Sequence, residues 1–219
     1  MKPTAFLSFL FFLPFAFTAT VVLAEVVIDS DGDIMRNGGT YYLSSAAPIG
    51  GGGILPDTII NQGDPKTCSI AVVSKLNTEG WEVTISSPIR AGFISTTFPL
   101  NISFPRLGRN VCTGDSRDWV VKNSLPVGQP VMIGSAEEFG SAYVPGWFFI
   151  KTHDSEKHYY KLVFCEQGKD RCGNIGVKLD NAERRRLVVT DKNPLVFKFD
   201  KFHQSFASDL SMVVSTGNL

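Results

Sequence analysis

Short runs of alternating apolar and polar residues, cut at close intervals by turn-forming residues, most restrict the folds open to this chain. Trp81-Glu82-Val83-Thr84-Ile85 alternates, as does Leu100-Asn101-Ile102-Ser103-Phe104, and Leu195-Val196-Phe197-Lys198-Phe199 follows more loosely. A period of two puts every second side chain on one face of a strand. Tyr159 to Phe164 and Arg186 to Val189 are dense in aromatic and β-branched residues, which suit a pleated surface. Asp31-Gly32, Asn37-Gly38-Gly39, Gly63-Asp64-Pro65, Thr113-Gly114-Asp115, Val127-Gly128 and Cys172-Gly173-Asn174 stand between the runs as turns. No segment sustains a 3.6-residue period with caps over three turns. Many short strands with no helices to cover them predict an all-β domain, closed as a barrel or stacked as a sandwich.

The first 24 residues differ in kind. Lys2 supplies a positive start, Phe6 to Val22 is strongly apolar but broken by Pro14, and Val22-Leu23-Ala24 ends the stretch with the small residues of a cleavage site. This layout predicts a secretory signal peptide over 1–24 and a mature domain over 25–219. A membrane anchor is the rival reading, disfavoured by the proline and the polar threonines inside the apolar run. No membrane association is expected once the leader is removed. The polar tail after Ala207 is expected to fray.

The whole chain carries 21 basic and 21 acidic side chains, and cleavage removes only Lys2, so the mature domain is near neutral. That balance gives no reason to expect nucleic acid or an anionic membrane as partner. Four cysteines in a secreted chain read as two disulfides. Cys165 and Cys172 are separated by a polar turn, which makes a local bridge the simplest of three pairings and leaves Cys68 for Cys112. No C-x-x-C or paired-histidine spacing suggests a metal, and no cofactor is implied.

Several other features are assigned ordinary roles. Gly50 to Gly53 lacks the Lys-Ser/Thr and helix of a phosphate cradle and is expected to be a surface loop. His153 and His158 flank a polar hairpin turn, and Arg184-Arg185-Arg186 reads as a solvated turn leading into a strand. Trp81, Trp119 and Trp147, with Phe148-Phe149, are expected to fill or cap the barrel. Asn101-Ile102-Ser103 is the one Asn-x-Ser/Thr sequon, and the alternation around it turns Asn101 toward solvent, so a glycan there is sterically possible. Neither G-x-S-x-G nor H-E-x-x-H occurs, and an enzyme is not expected.

In order along the chain stand Val27-Ile28-Asp29-Ser30-Asp31-Gly32-Asp33-Ile34-Met35, Asn37-Gly38-Gly39-Thr40-Tyr41-Tyr42-Leu43 and Ile85-Ser86-Ser87-Pro88-Ile89-Arg90. They are followed by Tyr160 to Cys165, Cys172-Gly173-Asn174-Ile175-Gly176 and Arg185 to Val189. Together with the cysteine spacing, these segments resemble the plant Kunitz-type (soybean trypsin inhibitor) family across essentially the whole mature chain. The resemblance implies a β-trefoil of twelve strands in three pseudo-repeats, with disulfides Cys68–Cys112 and Cys165–Cys172. It also implies a monomer that inhibits trypsin-like serine proteases and belongs to plant defence, in the apoplast or a vacuole.

The family's reactive residue falls two after the proline of a Ser-Pro pair, which makes it Arg90 and the scissile bond Arg90–Ala91. Ser87, Pro88, Ile89 and Gly92 flank it, and Asn37 matches the asparagine that supports the loop from inside. Pro88 fixes its own φ and biases Ser87 toward extended backbone. This chain departs from the family where Ala91 and Gly92 replace bulkier residues, which predicts a looser leaving-group side. Relatives that act on cysteine or aspartic proteases or carboxypeptidases through other loops, and non-inhibitory storage or binding trefoils, keep two further readings open.

Overall fold

The computed structural model describes residues 24–46, 52–60, 68–107, 112, 115–124, 128–170 and 172–202. Residues 1–23 of the leader, the tail, His203, Val127 and the turns at 63–65 and 113–114 lie outside the described residues. Thirteen strands follow one another: β1 (Gly39–Ser45), β2 (Gly52–Ile60), β3 (Cys68–Leu76), β4 (Val83–Ser86), β5 (Asn101–Ser103), β6 (Trp119–Lys122) and β7 (Gln129–Ile133), then β8 (Tyr143–Val144), β9 (Gly146–Asp154), β10 (Tyr159–Glu166), β11 (Cys172–Leu179), β12 (Arg185–Thr190) and β13 (Val196–Lys201). Only Pro145 separates β8, which pairs with β6, from β9, which pairs with β10. Proline offers no N–H to a ladder, so the chain changes partners there. Counted as one interrupted strand, the pair brings the number to the expected twelve. One helical turn, α1 (Ala136–Phe139), is held by a capping box in which Ser135 and Glu138 satisfy each other's backbone N–H.

The pairing closes on itself. β1 pairs with β13, β13 with β10, β10 with β11, β11 with β12, β12 with β3, β3 with β2, and β2 returns to β1. A ring of hydrogen-bonded strands has no free edge along that path and is a barrel. Alternation then fills it. Val83 and Ile85, Leu100 and Ile102, and Phe197 and Phe199 are all buried, and with Tyr41, Leu43, Ile70, Val72, Phe104, Leu162 and Phe164 they form one core. A chain of rings, Phe104–Trp119–Phe148–Phe164, runs through it with centroid separations of 5.5, 6.5 and 5.1 Å.

The disulfides join Cys68 to Cys112 and Cys165 to Cys172, with Cα–Cα distances of 5.0 and 4.1 Å. Cys165 and Cys172 are direct cross-strand neighbours of β10 and β11, so the second bridge staples a hairpin.

Three expectations are corrected. Gly52 and Gly53 are buried within β2, not part of a surface loop, while Gly50 and Gly51 lie outside the described residues. A Cβ on Gly53 would stand 2.0 Å from the Gly80 nitrogen, so the glycine run exists to let two backbones touch. Of the three tryptophans Trp119 fills the core and Trp81 caps it, edge-on to Phe104 at 6.4 Å, whereas Trp147 is 43% exposed. The arginine run is not a solvated turn. Arg186 is buried, its Nη2 donates to the Met132 sulfur at 3.1 Å, and desolvation lowers its pKa. It sits against a second cluster, Ala71, Val73 and Met132, which covers the outer face of β3 and makes that strand apolar on both sides.

Candidate functional site

The segment 87–92 leaves the barrel between two anchored legs. On one side β4 ends at Ser86 after pairing with β1, Ile85 opposite Gly39. On the other, Phe93 bridges Arg36, and the Ile94 N–H donates to the Met35 carbonyl at 2.9 Å. Both legs are thus held by the same upstream stretch, residues 35–39. That stretch turns sharply: the Gly39 N–H donates to the Arg36 carbonyl at 3.0 Å, with Gly38 at φ +77° in the third position. A residue with a Cβ is strained there, so Asn37-Gly38 is a turn signal with a mechanism. The buried Tyr41 hydroxyl accepts the Arg36 N–H at 2.8 Å and fixes the turn from below, and burial raises its pKa.

The turn aims Asn37 into the bow of the loop. Its Nδ2 donates to the carbonyls of Ser87, Ile89 and Ala91 at 3.2, 3.1 and 3.0 Å, and its Oδ1 accepts the Ser87 N–H at 2.8 Å. Two hydrogens serve three carbonyls, so at least one is shared. The Asn37 backbone N–H adds a bond to the Gly92 carbonyl at 3.2 Å. Within the loop, Ser87 Oγ accepts the Ile89 N–H at 3.2 Å, and the Ala91 N–H donates to the Ile89 carbonyl at 2.8 Å. That last bond closes a three-residue turn with Arg90 at its apex.

Every loop carbonyl that faces inward therefore has a donor, while the side chains of Pro88, Ile89 and Arg90 face out. Among the described residues no hydrogen bond or ion pair ties down the Arg90 guanidinium. Gly92 is exposed, and the place its Cβ would take meets nothing within 4 Å. The structure thus brings Asn37, Ser87, Pro88, Ile89, Arg90, Ala91 and Gly92 into one feature.

Sequence reasoning found Asn37 but missed the carbonyl of Gly92, the hydroxyl of Ser87 and the brace from Tyr41. Backbone acceptors leave no trace in side-chain identity, and Tyr41 reads only as a core aromatic. Phe93, also unflagged, is 39% exposed and stacks on Phe98 at 5.8 Å beside the loop's exit. Asn101 is exposed, as its alternation predicts. His153 and His158 flank the β9–β10 hairpin turn as expected, and among the described residues no group of three His, Cys, Asp or Glu side chains is placed to hold a metal.

Comparison with known proteins places this arrangement. A family profile described as legume Kunitz, trypsin and protease inhibitor, matches residues 27–201. The chain is 37% identical over 211 residues to trypsin inhibitor A of Glycine max, covering 92% of each chain. Trypsin inhibitor 1 from Senna obtusifolia superposes with a TM-score of 0.71 at 46% identity, over 83% of this chain and all of that one. The soybean trypsin inhibitor in its complex with porcine pancreatic trypsin gives 0.70 at 37% identity, over 82% and all of the respective chains. The solved soybean inhibitors are β-trefoils, and the closed barrel described above is that fold. With a profile match spanning nearly all of the described residues and relatives this similar over nearly their full length, the chain belongs to the Kunitz-type family of trypsin and protease inhibitors.

Proposed function

We propose that this protein inhibits trypsin-like serine proteases by presenting the loop 87–92 as a substrate, with Arg90 as the residue inserted and Arg90–Ala91 as the bond offered. One observation carries the reading: a single side chain, Asn37, holds carbonyls on both sides of that bond while Arg90 projects free. The printed identities of the relatives, trypsin inhibitors and one bound to trypsin, support the same target class.

A trypsin-like enzyme admits a long cation into a pocket with a carboxylate at its base. Arginine fits such a pocket because its planar fork pairs with both carboxylate oxygens. A loop already held in shape gives up little freedom on docking, which favours tight association. After attack on the Arg90 carbonyl, the Ala91 amine is the leaving group. Asn37 grips the Ala91 carbonyl and the Gly92 carbonyl as well as Ser87 and Ile89, so the new amine stays beside the acyl carbon. A tethered nucleophile at short range outcompetes free water, and the bond reseals. The departure at Ala91-Gly92 removes side-chain packing from the leaving-group side, and the backbone bonds of Asn37 are then the main restraint there.

Residues 1–24 direct the chain to the secretory route in this reading, which is also where two disulfides form and persist. Titration against trypsin, with Arg90→Ala alongside, tests the assignment. Stoichiometric inhibition by the native chain and at least about a hundredfold weaker inhibition by the variant are expected, since the buried cation is an interface hot spot. Brief incubation with trypsin at low pH is expected to yield one nick, with Ala91 as the new N-terminus. Equal inhibition by both proteins, or a nick elsewhere, would move the contact to another loop.

A further inference from the structure

The sequon Asn101-Ile102-Ser103 is β5 itself, and its place in the sheet couples it to the reactive loop. Ile102 pairs with Ile85 and both point into the core, 1% and 0% exposed. One residue on, Asn101 pairs with Ser86, so these two side chains stand together on the outer face. Asn101 is exposed. On its far side, among the described residues, β5 is tied by the bridges Leu100–Phe148, just before it, and Ser103–Asp118, at its end, and a cavity of about 210 Å³ with Asn101 on its wall opens between them. A large group on the Asn101 amide therefore displaces no core side chain.

Ser86 is the last residue before the loop. Paired Cα atoms across an antiparallel ladder lie about 5 Å apart, and four residues of chain reach at most about 14 Å. Asn101 is thus within roughly 19 Å of Arg90. A protease docking on about 800 Å² of inhibitor surface covers a disc of about 16 Å radius. Even at its greatest reach, Asn101 stands no more than a few ångströms outside that disc.

We propose that Asn101 is N-glycosylated and that its glycan acts as a steric gate on the reactive loop, slowing the approach of a protease. The gate rests on the inhibitor reading above; the modification does not. In the transfer, the Asn101 amide nitrogen bonds to the anomeric carbon of an oligosaccharide carried on a polyisoprenyl diphosphate, which leaves as the diphosphate while the amide gives up one proton. Ile102 in the middle position permits the sequon, and Ser103 supplies its hydroxyl. The effect falls on association more than on the bound state, because the sugar contacts the rim and leaves the Asn37 bonds intact.

The test expresses the full chain, with residues 1–24, in a eukaryotic secretory host. Intact mass is measured for the native chain, Asn101→Gln and Ser103→Ala, and trypsin association rates are measured for each, with and without enzymatic removal of N-glycans. The expected result is a glycan mass on the native chain alone and association about threefold or more slower than for either variant, restored by deglycosylation. The absence of a glycan on the native chain overturns the proposal, as do equal rates for glycosylated and bare protein. If the two bare variants fail to inhibit trypsin at all, the inhibitor reading falls and takes the gate with it, while a glycan mass on the native chain still stands as a separate result.

Discussion

At the scale of single residues, the site depends on an asparagine more than on the arginine it displays. Arg90 is exposed and among the described residues has no hydrogen bond or ion pair, so Arg90→Ala is expected to leave the scaffold unchanged. Asn37 makes four side-chain hydrogen bonds to the loop, three of them as donor. Each is worth roughly 0.5–1.5 kcal/mol in a partly exposed setting, and truncation also strands acceptors that water then reaches. Asn37→Ala is expected to weaken trypsin inhibition by about 2–3 kcal/mol, or 30- to 150-fold, while lowering global stability by no more than about 1–2 kcal/mol. The variant is also expected to be consumed. Following the reaction by mass spectrometry checks this, since the cleaved form should accumulate and keep accumulating, where the native loop settles at an equilibrium between cut and intact.

At the scale of elements, the hairpin turn joining β11 to β12 shows how charge shapes a loop that apolar patterning does not. Asp180 Oδ1 accepts the N–H groups of Ala182 and Arg184 at 2.9 and 3.0 Å, and Oδ2 accepts Arg184 Nε at 2.8 Å. Burial pushes the Asp180 pKa up, but these bonds to the charged form, those from Arg184 foremost, bring it below the ordinary value. A carboxyl whose folded pKa is depressed stabilises the fold fully above its unfolded value, about 3.9, and that contribution fades as pH falls through the folded value. Asp180→Asn is therefore expected to cost about 1 kcal/mol at pH 7. Urea titrations of the two proteins are expected to converge as the pH falls through the depressed folded value. Equal stability at pH 7 would show that the turn holds without the charge.

This turn also marks the limit of what patterning reveals. The alternation at Leu100–Phe104 and Val196–Phe199 located strands and their buried faces correctly, because a period of two follows directly from the pleat. The arginine run misled because three successive charges read as solvated. Only the packing of Met132 and Val73 around β3 shows Arg186 to be enclosed. Gly52 and Gly53 misled in the same way, since the close approaches that need them come from the backbone of Lys75 and of Gly80, distant in the chain. Arg90 and Asn37 were legible through the family resemblance. Nothing in their own neighbourhoods of sequence links them, for Asn37 reaches the carbonyls of Ser87 and Ile89, beside Arg90, across 50 and 52 residues.

At the scale of the whole molecule, two covalent links act on different lengths of chain. Cys68–Cys112 closes a separation of 44 residues that includes the reactive loop, and Cys165–Cys172 closes 7. Loop-closure entropy assigns them about 4 and about 2.4 kcal/mol respectively. Replacing both cysteines of the first pair by serine is therefore expected to lower the urea-derived unfolding free energy more than replacing both of the second. The reverse order would show that native-state packing around the hairpin staple outweighs chain entropy.

The wedge behind the loop is translated long before the strand that steadies it. Asn37 leads directly into β1, and β1 is flanked by β13, whose last residue is Lys201. A ribosome therefore finishes the bait more than a hundred residues before the trap can be set. Until Val196–Lys201 arrives, Arg90 sits on an ordinary scrap of digestible peptide, and any protease present at that stage would simply feed on it. The order of the strands thus favours completing the barrel before the chain meets any enzyme that cuts after arginine.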